Sequence, residues 1–145
     1  MTDKELKNKL KDNNIQVTKT RLQILSIIDK EKKPLTATEI NKIVEEKKYN
    51  IRLSTIYRNL KFFTKNEILR QLNFYSDEKR YEMLEEKHHQ HLICIKCGEI
   101  LPIKCPLANF EKEIEEETNY VIKNHDMEMY GVCPECQDNN FDKSK

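Results

Sequence analysis

Cys94 and Cys97 form one Cys-x-x-Cys pair, Cys133 and Cys136 form a second, and the first pair is entered from a histidine cluster, His88-His89-Gln90-His91. Two residues between cysteines let a tight turn present both sulfurs to one ion. Two such turns can close a tetrahedral four-thiolate site of the kind that holds structural Zn(II). A single pair would fit a disulfide or a redox couple as well; the doubled pair favours zinc. The histidines add imidazole donors. In an extended strand His89 and His91 project to one face and His88 to the other. The fifth cysteine, Cys105, stands before Pro106, where a helix start is expected. There it reads as a structural, buried thiol, with a weak cap or a thiol of lowered pKa as the other readings.

These donors need a scaffold. A chain of 145 residues can bury one ordinary core or two small ones, and two small domains are expected. No apolar run is long enough to cross a bilayer, and Met1-Thr2-Asp3-Lys4-Glu5 is charged and helix-like rather than signal-like. Lysine-rich, glycine-poor composition with Cys-x-x-Cys pairs fits a cytoplasmic protein whose thiols stay reduced. A net charge of +1 conceals an asymmetry. Residues 1–80 carry 19 Lys and Arg against 11 Asp and Glu, about +8, whereas residues 81–145 carry 7 against 14, about −7. A basic front end suits nucleic acid, and a merely lysine-rich surface is the plain alternative.

Residues 3–13 alternate charges around Leu6 and Leu10 as a short polar helix. Thr18 stands as an N-cap before a helix whose Leu22, Leu25 and Ile28 share a face. Glu31 to Leu35 breaks that helix, and Thr36-Ala37-Thr38-Glu39 reads as a capping box opening another with Ile40, Ile43 and Val44 inward. Ser54 can cap a third helix through Ile56, Leu60 and Phe63. Ile68 to Tyr75 and Arg80 to Met83, flanking Ser76-Asp77-Glu78-Lys79, form a strand, turn and strand, and a hairpin after a helix-turn-helix makes a winged helix. Beyond it, His91 to Cys94 and Gly98 to Ile103 suggest paired strands, Pro106 to Thr118 a helix, and Tyr120 to Met129 an extended segment. The whole is α+β, the second part a small unit closed by the cysteines.

On the third helix Ile56, Leu60 and Phe63 occupy one stripe and Ser54, Arg58 and Lys61 another, with Arg52, Thr55 and Tyr57 at its entrance. Arginine can fork onto guanine or phosphate, and Tyr and Thr can touch thymine methyls or the backbone. Recognition helices present such residues to the major groove. Lys19 and Arg21, at the start of their helix, are candidate phosphate contacts. A solvated polar face is the bland alternative.

Five ordered blocks carry a resemblance. They are Val17-Thr18-x-x-Arg21, Leu53-Ser54-Thr55-Ile56-Tyr57-Arg58-Asn59-Leu60, Arg80-Tyr81-Glu82, His88-His89-Gln90-His91-Leu92-Ile93-Cys94-x-x-Cys97-Gly98, and His125 with Tyr130-Gly131-x-Cys133-x-x-Cys136. In these the chain resembles the ferric uptake regulator family of bacterial metal-sensing repressors. The resemblance implies a winged helix-turn-helix DNA-binding domain (1–84) and a small α/β metal-binding dimerisation domain with structural zinc (85–137); the polar residues beyond (138–145) are expected to form a mobile tail. It implies a homodimer that binds AT-rich inverted-repeat operator DNA when a regulatory metal is present. By matching position it places Tyr57 and Arg58 in the recognition helix and Glu82, His89 and His91 in the regulatory metal site. It also pairs His88 with His125 in a second site, for which Glu111 or Glu113 could supply a carboxylate.

Departures from the family bear on the metal. Where iron-sensing members commonly place a histidine, before the second core helix, this chain has Lys33-Pro34-Leu35. The Thr-Ile-Tyr-Arg-Asn-Leu helix and the Cys105-Pro106 step look more like zinc-sensing members, but Met83 stands where those often carry a cysteine. Glutamate and imidazole suit Fe(II), Mn(II) and Zn(II) alike, so iron and zinc stay close. An open zinc at Glu82, His89 and His91 could instead serve a hydrolase, although no general base or pocket-forming domain accompanies it. The remaining alternative is a zinc-ribbon interaction protein without a metal switch.

Overall fold

The computed structural model describes residues 1–74, 78–84, 89–107, 109–123 and 125–137. The expected turn residues Ser76 and Asp77, His88 and the 138–145 tail lie outside them. The chain divides into two compact units, Met1–Glu85 and Glu86–Lys145. Among the described residues no helix is long and apolar enough to cross a membrane.

The N-terminal unit runs α1 (Asp3–Asp12), α2 (Lys19–Glu31), β1 (Leu35–Thr36), α3 (Ala37–Glu46), α4 (Leu53–Lys65), β2 (Leu69–Asn73) and β3 (Lys79–Met83). Each helix starts for a local reason. The Thr18 hydroxyl accepts from the Arg21 amide at 3.2 Å. At α3 the Thr36 hydroxyl accepts from the Glu39 amide at 3.1 Å while the Glu39 carboxylate accepts from the Thr36 amide at 3.2 Å, the expected capping box. Thr36→Ala removes one half of this exchange and should cost about 1 kcal/mol, read as a lowered urea midpoint at unchanged m-value. The start of α4 differs from expectation. Arg52, not Ser54, is the N-cap, with no side-chain cap; its extended backbone lets its carbonyl accept from the Thr55 and Ile56 amides at 3.0 and 3.1 Å. Ser54 is thus already inside the first turn, its side chain exposed.

One hydrophobic core joins α1 to α4 and the strands: Leu6, Leu10, Ile24, Leu25, Ile28, Ile40, Val44, Ile56, Leu60 and Phe63 are all buried. The inward face of α2 is rotated from the expected one. Ile24 and Ile27 are buried and Leu22 only half-buried, because α1 and α3 cover a wider stripe than a single row of residues. The sheet has the order β1-β3-β2, antiparallel throughout, with Leu35 opposite Tyr81 and Leu69 opposite Met83. Arg80 on β3 pairs with Glu39 of α3 at 3.2 Å and donates to the Pro34 carbonyl at 3.3 Å, tying the hairpin to the helices. This is a winged helix, and the fold as a whole is α+β.

The C-terminal unit runs β4 (His89–Cys94), β5 (Ile100–Lys104), α5 (Phe110–Thr118), β6 (Glu128–Gly131) and the short α6 (Pro134–Gln137). Its sheet order is β5-β4-β6: β5 is antiparallel to β4, and β6 is parallel to it with Cys94 opposite Gly131. Two expectations shorten here. The helix foreseen from Pro106 begins only at Phe110, whose amide bonds the Leu107 carbonyl at 3.0 Å, after a turn at Pro106 and Leu107. Cys105 therefore neither caps a helix nor lies at a helix end. The extended segment after Tyr120 becomes strand only from Glu128, because α5 ends in the left-handed Asn119 (φ 60°) and the described residues that follow form no ladder before β6.

Candidate metal centres and nucleic-acid interface

The parallel pairing of β6 with β4 brings the two cysteine pairs together. Both strands run the same way, so the chain leaves them at one end, and each exit is a Cys-x-x-Cys turn. Cys94 closes β4, and the turn after it needs Gly98 at φ +77°, a conformation that L side chains rarely adopt. Cys133 follows β6, and the short α6 carries Cys136. The Ile95 amide bonds the Gly131 carbonyl at 2.9 Å, locking the exits side by side. All four sulfurs lie within 4.8 Å of one another, and those of Cys97 and Cys133 are 3.8 Å apart. A tetrahedron with Zn–S bonds of about 2.3 Å has S···S edges of about 3.8 Å, so the spacing fits the ion the sequence predicts. The donors also depart from ordinary thiols. The Cys133 amide donates to the Cys94 sulfur at 3.4 Å and, with the amides of its own turn, lowers the Cys94 thiol to about 6. The Cys133 sulfur, followed by burial and the other cysteines, raises Cys136 to about 12. Four sulfurs this close cannot all ionise without a cation among them.

On β4, His89 and His91 fall on the face expected of alternating residues, with ring centroids 5.1 Å apart in an edge arrangement. His91 is only 1 % exposed. Gln90, pointing the other way, is completely buried. Its Oε1 accepts from the Met127 amide at 2.6 Å and its Nε2 donates to the Cys105 sulfur at 3.8 Å. In the N-terminal unit Glu82 is buried on β3, across the ladder from Arg70, whose guanidinium lies 3.9 Å from the carboxylate. The loop at Lys33-Pro34-Leu35 offers no imidazole, and Pro34 and Leu35 are buried.

His125 is engaged at both ring nitrogens: Nδ1 meets the Glu111 carboxylate and Nε2 lies 3.0 Å from the Cys105 sulfur. Of the two carboxylates considered for it, Glu111 makes the contact. Its expected companion His88 is outside the described residues. The Cys105 contact, then Glu111, hold His125 above the usual imidazole range. Burial pushes the Cys105 thiol up, but hydrogen bonds led by His125 outweigh it, and the thiol lies below its ordinary range. Gln90 and Cys105 were not assigned to this cluster from sequence. Nothing in their local pattern marks them, since the partners belong to four separate segments of the chain.

The third helix divides as its periodicity predicts. Ile56, Leu60 and Phe63 are buried, while Ser54, Arg58, Lys61 and Tyr57, the last 52 % exposed, face solvent with Thr55 half-covered at the rim. At the start of α2, Lys19 is exposed. The Arg21 guanidinium is half-buried; it donates to the Gln16 carbonyl at 2.6 Å and lies 4.6 Å from the Phe62 ring centroid, a cation–π contact. Part of its donor capacity is therefore spent inside the unit.

Comparison with known proteins agrees with this architecture. The model of the "Ferric uptake regulator family" matches residues 12–130. The ferric uptake regulation protein of Neisseria gonorrhoeae is 37% identical over 130 residues, spanning 88% of this chain and 90% of the relative. The crystal structure of the Vibrio cholerae ferric uptake regulator superposes with a TM-score of 0.77 at 31% identity, covering 87% of this chain and 98% of that one. The Helicobacter pylori regulator, described as revealing three functional metal binding sites, superposes at 0.78 with 29% identity, covering 95% and 93%. Matched along nearly its whole length in sequence and in fold, the chain belongs to the ferric uptake regulator family, whose members are metal-responsive transcriptional regulators and not enzymes.

Proposed function

We propose that this protein is a metal-responsive repressor of metal-uptake and homeostasis genes that binds AT-rich inverted-repeat operator DNA as a homodimer. In this reading residues 1–84 bind DNA, residues 85–137 dimerise, and Cys94, Cys97, Cys133 and Cys136 hold a permanent Zn(II). Glu82, His89 and His91 hold the regulatory ion, Fe(II) or Zn(II), with Mn(II) the third candidate. The observation that carries it is the division of α4: a fully buried apolar stripe fixes the helix, and the opposite face presents Ser54, Tyr57, Arg58 and Lys61. The three functional metal binding sites named for the Helicobacter pylori structure support more than one bound ion here.

Glu82 lies on the last strand of the winged-helix unit and His89 opens the first strand of the other, so an ion held by Glu82, His89 and His91 would supply a cross-link along a short stretch of chain. Such a cross-link would favour the dimer whose two α4 helices match successive major grooves, a population shift of about 1–3 kcal/mol. Carboxylate and imidazole do not separate Fe(II) from Zn(II), so cellular free concentration decides between them.

Anaerobic titration of a fluorescent operator duplex with the zinc-loaded protein, at buffered free Fe(II), Zn(II) and Mn(II), tests the reading. One metal at its cellular free concentration should tighten binding at least tenfold. Affinity indifferent to all three would leave a zinc-ribbon interaction protein without a switch. Arg58→Ala should weaken operator binding roughly tenfold at unchanged metal content, as loss of a base or phosphate contact does.

A further inference from the structure

We propose that the cleft between the start of α3, Tyr57 of α4 and the wing strand β3 seats one phosphodiester group of the operator backbone, held by the Lys79 amine and the Tyr81 hydroxyl. The seat rests on the DNA-binding reading above, and its two donors lie outside the recognition helix. The cleft has a volume of about 240 Å³, room for a phosphate group, and Thr38, Tyr57, Lys79 and Tyr81 line it.

Tyr81 points to a ligand. It belongs to the core and is only 6 % exposed, yet its hydroxyl has no hydrogen-bond partner among the described residues. Buried tyrosines ordinarily find one. The oxygen is not among the unpaired atoms sealed from solvent, so what stays open on Tyr81 faces the cleft that it lines. Lys79 and Thr38 are exposed, and among the described residues their side chains are unpaired as well.

Their placement follows from the fold. β3 pairs with β1, which sets Tyr81 opposite Leu35 and Arg80 opposite Thr36. Thr36 then caps α3, so the wing strand passes beside the positive end of that helix's dipole. In a helix-turn-helix the helix before the recognition helix crosses the DNA backbone while the recognition helix lies in the groove. α3 is that helix here, and the exposed Tyr57 is a wall that the cleft shares with the DNA-facing surface of α4. A duplex seated on α4 therefore runs a phosphate past the cleft. Lysine supplies a point charge and the tyrosine hydroxyl a directed donor, both suited to phosphate oxygens. Glu78, exposed at the rim, cancels the lysine charge at a distance. A free anion gains little from such a site, whereas a phosphate delivered by the docking of α4 needs only the donors beside it.

The experiment uses the full-length, zinc-loaded protein, anaerobically, with Fe(II), Zn(II) or Mn(II) in separate series. Binding of a fluorescent operator duplex and of a random-sequence duplex is measured over a range of KCl concentrations. Lys79→Ala should weaken both duplexes by the same factor, roughly tenfold, and lower the slope of log affinity against log salt by about two per dimer, one for each protomer. Tyr81→Phe keeps the ring and removes only the hydroxyl; it should weaken binding roughly fivefold at unchanged zinc content and far-UV circular dichroism. A single uncharged methylphosphonate, moved along the operator, should cost the wild type affinity at one phosphate in each half-site and cost Lys79→Ala nothing further there. The Lys79 and methylphosphonate arms decide even if Tyr81→Phe disturbs the core. Unchanged affinity and slope in Lys79→Ala, or a folded Tyr81→Phe that binds as the wild type does, overturns the seat alone. A wild type that binds neither duplex with any of the three metals overturns it together with the DNA-binding reading. Inorganic phosphate that displaces the duplex beyond KCl of equal ionic strength also overturns it, since the cleft would then be a free-anion site.

Discussion

Cys94→Ser is expected to abolish zinc retention and unfold the C-terminal unit. Cys94 is buried at the end of β4, receives the Cys133 amide, and stands opposite Gly131 where the parallel strand turns into the second cysteine pair. The unit around it is small. α5 has no buried residue, and Leu101, Phe110, Tyr120 and Val121 are exposed in the single chain. Its core is therefore short of what a unit of this size needs to stand without a staple. Structural zinc supplies about 10–16 kcal/mol in small zinc-dependent folds, far more than such a core provides. Zinc per chain, measured by atomic absorption, should fall from one equivalent to none. Amide exchange in β4, β5 and β6 should then lose protection while Ile56, Leu60 and Phe63 keep theirs. A variant that binds no zinc yet keeps β4 protected would show that the sulfurs do not hold the unit.

Acid should reach the same end point in the unmodified protein. Zinc binding must expel protons from the thiols, and the cluster without its ion holds Cys136 protonated up to about 12, while Cys94 is lowered to about 6. Protons therefore compete harder as pH falls, so zinc is retained at neutral and alkaline pH and released on acidification, detectable with a colorimetric chelator.

Replacing Glu82, His89 and His91 together by Ala should abolish metal-dependent operator binding, a loss of roughly a hundredfold at saturating metal, with the cysteine-bound zinc still present. Loss of all three donors removes the differential affinity by which an ion can shift a population, and a ligand without that difference shifts nothing however tightly it binds elsewhere. The residual affinity should equal that of the metal-free wild type. This outcome separates the regulatory reading from a zinc-ribbon interaction protein, whose DNA affinity would not change. It also differs from Arg58→Ala, which weakens the operator contact and leaves the response to metal intact.

The amino-acid sequence by itself determined whatever depends on near neighbours along the chain. The Thr36–Glu39 exchange, the cap at Thr18 and the buried stripe of α4 were all legible, because a helix returns to the same face within four residues and a capping side chain reaches only three residues onward. The alternation that sets His89 and His91 apart from Gln90 followed from the two-residue period of a strand. Local pattern also misled. Ser54 has the chemistry of a cap, but Arg52 already had the backbone for it, and Pro106 announced a helix that the chain starts only at Phe110. Tertiary structure alone decided which distant segments meet. Cysteine spacing pointed to zinc but not to why the pairs converge; the parallel register of β6 on β4 does that. Cys105, Glu111 and His125 carry no shared motif, and they come into contact only because a turn, a helix and an irregular segment meet at one place. Periodicity reports which face a residue occupies, whereas contact between remote segments depends on how whole faces are buried together.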